Sequence, residues 1–415
     1  MKKYENYKDS GLEWLGMVPE HWEILPFKRG VSVNNGRDYK HVKSEDGYPV
    51  IGSGGQFAYA SDYLYDGEVI LLGRKGTIDK PRYFSGKFWT VDTMFYAIPN
   101  QKCIAKYMYY QALTIPFSFY STDTALPSMT QSDLGNHLMC FPPISEQRII
   151  ASYLDQKVGQ IDALISEKEK MVEDLKAYRS SLITETVTKG LDKEVEMKDS
   201  GVEWIGRIPS TWKSSKIGRI YSDIGSGTTP DSNNNLYYKE DGFNWLQTGD
   251  LTDGYITETS RHISQLAIDE KHMRFYPVDS IVVAMYGATI GKVGFLKIET
   301  STNQACCVLP PSENMDAMYM FYMMQASKEI LISNSIGGGQ PNISQSIIKE
   351  HIIPVPPLRI QKEIALYLQN KIGKIVSILS EQEHQLSDLK SYKSSLITEA
   401  VTGKIDFRDW QTKKS

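Results

Sequence analysis

The sequence is poor in what enzymes and secreted proteins usually display. It holds four cysteines in 415 residues, Cys103, Cys140, Cys306 and Cys307. None forms a CxxC pair, and the adjacent Cys306 and Cys307 are badly placed to bridge each other. Neither a disulfide framework nor a thiolate metal site is expected, which suits a reduced, cytoplasmic protein. No stretch approaches about eighteen apolar residues, and the start, MKKYENYKDSGLEWLG, is polar. A membrane span and a secretory leader are therefore not expected. Positive charge is not in excess: 46 Lys and Arg face 50 Asp and Glu, for a net charge of −4. A generic basic coat for nucleic acid is excluded, so any DNA binding must rest on local patches.

Catalytic signatures are missing too. There is no GxxxxGK[ST], HExxH, GxSxG or GxGxxG. The seven histidines are scattered. Pro142-Pro143 and Pro356-Pro357 follow Phe141 and Val355. They lack the polar and aromatic members of the Asn/Asp-Pro-Pro-aromatic site of amino-methyltransferases. Their expected role is to set a rigid start for the segment that follows.

What is present is a long-period repeat, which has first claim on any reading. KDSGLEWLGMVPEHW at Lys8–Trp22 returns as KDSGVEWIGRIPSTW at Lys198–Trp212. FPPISEQRIIASYLDQKVGQIDALISEKE at Phe141 returns as VPPLRIQKEIALYLQNKIGKIVSILSEQE at Val355. YRSSLITETVT at Tyr178 matches YKSSLITEAVT at Tyr392 in nine of eleven letters. The first block recurs after 190 positions and the others after 214, because the regions between them differ. This is a duplicated module with similar scaffolds and divergent payloads.

The scaffold segments carry a seam at alternating steps of four and three. In the first copy it runs Leu154, Val158, Ile161, Ile165, Lys168, Val172, Leu175, Arg179, Leu182. In the second it runs Leu368, Ile372, Ile375, Leu379, Gln382, Leu386, Leu389, Lys393, Leu396. Each is a heptad pattern with a polar residue midway and another near its end. Ser145 is the expected N-cap of the first helix and Gly190 its stop. A helix of about 40 residues is roughly 60 Å long, and alone it would leave its seam in water. The partner is either the other copy, as an antiparallel pair within the chain, or a second chain. The tie from Thr188 to Trp212 is too short to return the chain over that length. That favours an antiparallel pair with a globular region at each end and a pseudo-twofold relation.

Between the helices, runs such as GEVILLGRKGTI and DSIVVAMYGATIGKVGFL are β-branched and broken by glycine. Asn35-Gly36 and Asp253-Gly254 have the composition of hairpin turns. The expected fold class is α+β: two globular domains with mainly antiparallel sheets, separated by two long antiparallel coiled-coil helices. The expected divisions are a lead-in segment 1–22, a first globular domain 23–143 and a first long helix 144–190. A linker with the second lead-in segment follows at 191–212, then a second globular domain 213–357, a second long helix 358–404 and a tail 405–415.

One local patch stands out. GRKGTIDKPRYFSGK at Gly73–Lys87 holds Arg74, Lys75, Lys80, Arg82 and Lys87 against one acid, Asp79. Lys and Arg beside glycines and hydroxyls can approach phosphates, and Arg can read guanine edges. A solvated hairpin explains the composition equally well. Arg74, Lys75, Thr77, Lys80 and Arg82 are the candidate DNA contacts of the first domain. Thr228, Thr229, Tyr286, Lys292, Gln340 and Asn342 are those of the second, although Gln340-Pro341-Asn342 is also ordinary turn chemistry.

Together these segments resemble the specificity subunit of type I restriction–modification systems. The resemblance rests on the paired DSGxEWxGxxPxxW segments and on GSGTTPDSNNNLYY and GGQPNISQSIIKEHIIPVPPL. It also rests on YPVIGSGG, ILLGRKGTI, MTQSDLGNHLMCFPPISEQ and the paired SSLITE helices. Gln147 and Gln361 both stand one turn into the helices, whereas the acid before Gln147 is replaced by Ile360 before Gln361. The family implies two target-recognition domains, each reading one half of a bipartite, asymmetric site on double-stranded DNA. Such a subunit performs no chemistry and binds no cofactor. Two modification subunits bring the methyl donor, and restriction subunits bring ATP- and Mg-dependent translocation and cleavage. Two other classes stay open: a coiled-coil adaptor without a DNA role, and a stand-alone DNA-modifying enzyme.

Overall fold

The computed structural model describes residues 2–120, 127–335 and 341–410. The chain divides into two compact units. The first holds the chain up to Glu169 together with His384 onward, and the second is Lys170–Glu383. Two long helices, Ile144–Lys189 and Leu358–Val401, each contribute to both units.

Burial along these helices follows the heptad seam. In the first, Leu154, Val158, Ile161 and Val172 are buried and Ile165, Lys168, Leu175, Arg179 and Leu182 are half-buried. In the second, Leu368, Ile372, Ile375, Leu379, Leu386 and Leu396 are buried, with Gln382, Leu389 and Lys393 half-buried. The partner is the other copy. In the first unit Lys168 pairs with Gln385 at 2.6 Å, and Asp162 with Lys393 at 2.6 Å. Numbers fall along one helix as they rise along the other, so the two run antiparallel. The polar residue midway along the first seam is thus satisfied by a partner amide rather than left as a buried cation.

Both helices start and stop by the same chemistry. Gln147 accepts from the Ile104 amide at 3.0 Å and donates to the carbonyls of Pro142 and Lys102 at 2.9 and 3.1 Å. Gln361 accepts from the Asp316 amide at 2.7 Å and donates to Pro356 O at 2.9 Å. Each glutamine ties a helix start to its own globular region, satisfying backbone groups that burial would otherwise orphan. Ser145 is not the N-cap. The first intrahelical bond already runs from Gln147 N to Pro143 O at 3.0 Å, which places Ser145 inside the first turn.

At the other ends, Gly190 and Gly403 take φ of +80° and +74°. The lead-in hairpins press on them. A Cβ on Gly190 would lie 3.1 Å from Trp212, and one on Gly403 would lie 2.3 Å from Pro19 and 3.2 Å from Trp22. Glycine is therefore required twice over, by backbone conformation and by close packing. Each hairpin pairs two short strands, Tyr7–Asp9 with Met17–Pro19 and Met197–Asp199 with Arg207–Pro209. Trp22 and Trp212 are buried in them. Further in, Tyr107 donates to Cys140 O and Val401 O at 3.0 and 3.3 Å. Its counterpart Tyr319 donates to Val187 O and Pro354 O at 3.0 and 3.1 Å.

The first unit carries a seven-stranded sheet. In chain order its strands are β1 (Val31–Asn35), β2 (Lys43–Ser44), β3 (Tyr48–Gly52), β4 (Gly55–Ala60), β5 (Tyr65–Gly73), β6 (Arg82–Thr90) and β7 (Met94–Pro99). Their spatial order is β1-β7-β5-β6-β3-β4-β2, antiparallel throughout except for β3 beside β6. The run Val69-Ile70-Leu71-Leu72 in β5 is buried on both faces. Ile70 and Leu72 join the core shared with Tyr107 and the lead-in segment, while Val69 and Leu71 meet Ile51, Phe88 and Met94. Strand alternation divides one apolar run between two cores.

The second unit is built from two smaller sheets. Its strands are β8 (Gly225–Ser226), β9 (Tyr238–Leu246), β10 (Gly254–Ile256), β11 (Arg261–Ile263), β12 (Phe275–Tyr276), β13 (Ile281–Ala284), β14 (Val293–Leu296), β15 (Thr300–Thr302) and β16 (Cys306–Leu309). One sheet runs β8-β16-β13-β14-β10 and the other β11-β9-β15-β12. Pairing is again mostly antiparallel, with β9 parallel to β15 and β10 parallel to β14.

The two expected hairpin turns are absent. Gly36 continues the β1 edge, donating to Met94 O at 3.0 Å, and Asn35 still pairs with Phe95. Asp253 takes φ +59° but leads into parallel pairing of Gly254 with Gly294, while its carboxylate accepts from Val293 N at 2.8 Å. A two-residue hairpin needs an antiparallel partner next in sequence, and neither site has one.

Candidate nucleic-acid interface

In the first unit the candidate residues sit where β5 runs out of the sheet. Arg74 N and Lys75 N both donate to Thr93 O, at 2.8 and 3.2 Å, and Arg74 O accepts from Met129 N at 3.0 Å. The loop is thus held on two sides by backbone. The Arg74 guanidinium donates to Asp92 O at 3.3 Å and lies 5.9 Å from the Phe95 ring centroid. Asn35, Phe95, Thr130 and Gln131 line a cleft with Arg74 and Lys75. Gln131 donates to Val33 O at 2.7 Å and accepts from Asn35 at 3.3 Å, so its amide is oriented by the edge strand.

Lys75 and Lys80 are exposed and Thr77 is half-buried. Arg82 lies against the β3–β4 hairpin, its guanidinium 3.3 Å from where a Cβ on Gly55 would stand. Ser53 of that hairpin also neighbours Gly76, so the loop and the hairpin adjoin. The sequence grouping with Lys87 does not hold. Lys87 is at the other end of β6, 4.7 Å from the Tyr63 ring centroid and 5.5 Å from that of Tyr48. Sequence order does not bring Asn35, Phe95 and Gln131 to this cleft, because two non-adjacent strands and the start of the helix Gln131–Asn136 meet there only through long-range contacts. The one signal in the sequence was the MTQSDL stretch, whose partner returns at 343–348 as ISQSII.

The second unit builds the same platform with other side chains. Ile343 N donates to Met285 O at 2.7 Å, matching the Met129–Arg74 bond, and Met285 N donates to Ala305 O at 2.8 Å. Tyr286, exposed, therefore stands where Lys75 stands in the first unit. Asn342 is exposed beside it. Thr228 N donates to Thr302 O at 2.9 Å, and Thr228 O accepts from the Trp245 indole at 3.1 Å. Thr229 bonds Gln304, the neighbour of Ala305. Lys292 is half-buried across the loop, its carbonyl accepting from Ala284 N at 2.9 Å. Gln340 lies outside the described residues.

Below each platform sits a histidine. His137 O accepts from Phe27 N at 2.8 Å, and its ring stacks on Trp14 at 5.5 Å. His351 O accepts from Ile217 N at 2.9 Å, and its ring stacks on Trp204 at 5.1 Å. Burial pushes both imidazoles down to about 4. They are neutral supports rather than cationic contacts. All four cysteines are buried and free, with thiols pushed up by burial. No helix among the described residues is long and apolar enough to cross a membrane.

Comparison with known proteins shows the same duplication. The family model for the type I restriction modification DNA specificity domain matches twice, at residues 22–174 and 209–387. The type I restriction enzyme MjaIX specificity subunit of Methanocaldococcus jannaschii is 29% identical over 180 residues, 42% of this chain and 40% of that one. The EcoBI specificity subunit of Escherichia coli is 21% identical over 439 residues, covering 96% of this chain and 89% of its own. Among solved structures is a chain of the type I R-M system, determined for its complex assembly and conformational transition. It shares the fold with a TM-score of 0.69 at 15% identity, over 94% of this chain and 99% of that chain. With two matched domains, two copies of one frame and both long helices accounted for, the chain belongs to the type I restriction modification DNA specificity family and is a specificity subunit of that system.

Proposed function

We propose that each unit reads one half of a bipartite, asymmetric site on double-stranded DNA through the platform described above. The supporting observation is the matched pair of loops. Arg74-Lys75 and Met285-Tyr286 hang from equivalent backbone bonds but present different chemistry. A backbone scaffold that fixes position while its side chains vary is what separate readout of two sequences needs. Arg74, Lys75, Thr77, Lys80 and Arg82 serve the first half-site. Thr228, Thr229, Tyr286, Lys292, Gln340 and Asn342 serve the second.

In this reading the chain performs no catalysis and works in the cytoplasm. Two modification subunits supply the methyl donor and act on adenine, and restriction subunits supply ATP- and Mg-dependent translocation and cleavage. The paired helices set the interval between half-sites. One heptad added after Lys168 and one after Ser387, opposite each other in the antiparallel pair, lengthens both helices by about 10 Å. The unspecified gap in the methylated motif then grows by about three base pairs, with both half-sites retained. The reading as a whole is tested by supplying the chain and its modification subunit to a host lacking both, then mapping methylated adenines. A two-part motif supports it. Methylation without sequence preference, or methyl transfer by this chain alone, contradicts it.

A further inference from the structure

One lysine has changed sides between the two copies. Phe27 N donates to His137 O at 2.8 Å in the first unit, and Ile217 N to His351 O at 2.9 Å in the second. These bonds set Lys28 against Gly135 and Gly218 against Lys349, at the repeat offsets of 190 and 214. A Cβ on Gly135 would lie 3.7 Å from the Lys28 Cβ, and one on Gly218 would lie 3.1 Å from the Lys349 Cβ. At the same crossing, each unit thus lays one lysine stem over one glycine, from opposite elements.

Packing accounts for a long stem facing a glycine. It does not account for an ammonium at its end both times, since an uncharged stem of that length would cover the same surface. Lys28 is exposed and donates to Asn136 Oδ1 at 2.6 Å. Lys349 is half-buried, and among the described residues its ammonium has no hydrogen-bond or ion-pair partner. The carboxylate next to it, Glu350, is taken by Lys216. Both lysines adjoin the platforms. Lys28 lines a groove with Ser32, Ser132 and Asn136, and Gln131 joins that groove to the Arg74–Lys75 cleft. Lys349 belongs to the helix Gln345–Glu350, about 6 Å along it from Gln345, the counterpart of Gln131. Arg74 and Lys75 give way to Met285 and Tyr286 in the second unit, whereas this cation keeps its place while its carrier changes.

We infer that Lys28 and Lys349 each hold one DNA phosphate, at the same position beside each half-site. This rests on the function proposed above and adds a contact that seats the duplex without reading it. Two readers that choose different bases still meet the same sugar–phosphate backbone. A point charge on a flexible stem serves a phosphate in any sequence, so such a contact belongs to the shared frame.

The test is a salt titration of DNA affinity, using the full chain in complex with its modification subunit and a duplex carrying the methylated motif. Each neutralised phosphate contributes about 0.9 to the slope of log affinity against log salt. Lys28→Ala and Lys349→Ala each lower that slope by about one and weaken binding about eightfold at about 0.1 M salt. Together they lower it by about two, and the methylated motif keeps both halves throughout. Lys28→Arg retains the slope. Lys28→Ala with Gly135→Lys moves the cation to the facing helix, as in the second unit, and restores it. Only Lys28 atoms lie within 4 Å of a Cβ on Gly135, so the exchange has room. An unchanged slope in Lys28→Ala, or a motif relaxed in one half, overturns the phosphate contact and leaves the proposed function standing. So does an exchange variant that is folded by circular dichroism yet binds as weakly as Lys28→Ala. Absence of sequence-dependent binding by the unaltered complex overturns both.

Discussion

In the first unit the loop leaving the central strand offers Arg74 and Lys75, and in the second the same backbone position offers Met285 and Tyr286. The bonds beneath are equivalent: Met129 N to Arg74 O at 3.0 Å, and Ile343 N to Met285 O at 2.7 Å. The sheets beside them are not, seven strands in one unit against five and four in the other. Buried backbone groups must find partners, so the residues that satisfy them, such as Gln147 and Gln361 or Tyr107 and Tyr319, recur. Loop side chains in water carry no such obligation, and there the copies part. The two units therefore share what is buried and differ in what is exposed.

If the frame is equivalent, breaking it should cost the same twice. Trp22→Ala and Trp212→Ala each destabilise the unit that holds them by about 3–5 kcal/mol, read as a lowered transition in scanning calorimetry. A large loss at one and almost none at the other would break the equivalence.

Acid should also act on both units. His137 and His351 titrate near 4 in the fold, against an ordinary value of 6.5. Below pH 6.5 the unfolded chain takes up protons that the folded chain refuses, so stability is full above that pH and falls toward pH 4. The loss is on the order of 3 kcal/mol for each histidine. Denaturant midpoints between pH 7 and 4 measure it, and His351→Phe should flatten the dependence of the second unit alone. An unchanged profile in that variant would remove the histidine from the account.

A smaller effect sharpens the comparison. Gln147→Ala frees three backbone groups and Gln361→Ala two, each variant costing about 1–3 kcal/mol with the first the larger. Equal costs would mean that the Lys102 bond contributes little. At the platform, Arg74→Ala weakens DNA binding by about 1–3 kcal/mol and relaxes the first half-site only, while Tyr286→Ala touches only the second. Selection from randomised DNA shows which half relaxes. Relaxation of both halves by either variant would mean the units do not read independently.

The long helices were legible because a heptad seam is a local, repeated signal, and every seam position is at least half-buried. Their starts are legible only in part: Ser145 has the chemistry of a cap, but Pro143 O takes the first helical bond and Ser145 lies inside the helix. The sheets were less so. Non-local pairing joins segments distant in sequence: Asn35 pairs antiparallel with Phe95 of β7 and Gly254 parallel with Gly294 of β14, so neither expected hairpin turn forms. At the platform, closeness in sequence misled as well. Lys87 shares a strand with Arg82, yet five residues of extended chain carry it about 16 Å away. Gln131 and Phe95, far away in sequence, stand beside Arg74.

The central claim is that one frame carries two independent readers. It is tested most directly by replacing residues 23–143 with the matching region of another specificity subunit. Methylated adenines are then mapped across a host genome with the modification subunit supplied. The account predicts a motif in which one half and the gap persist and the other half becomes that of the donor. A motif altered in both halves, in a variant that folds and methylates, would contradict it.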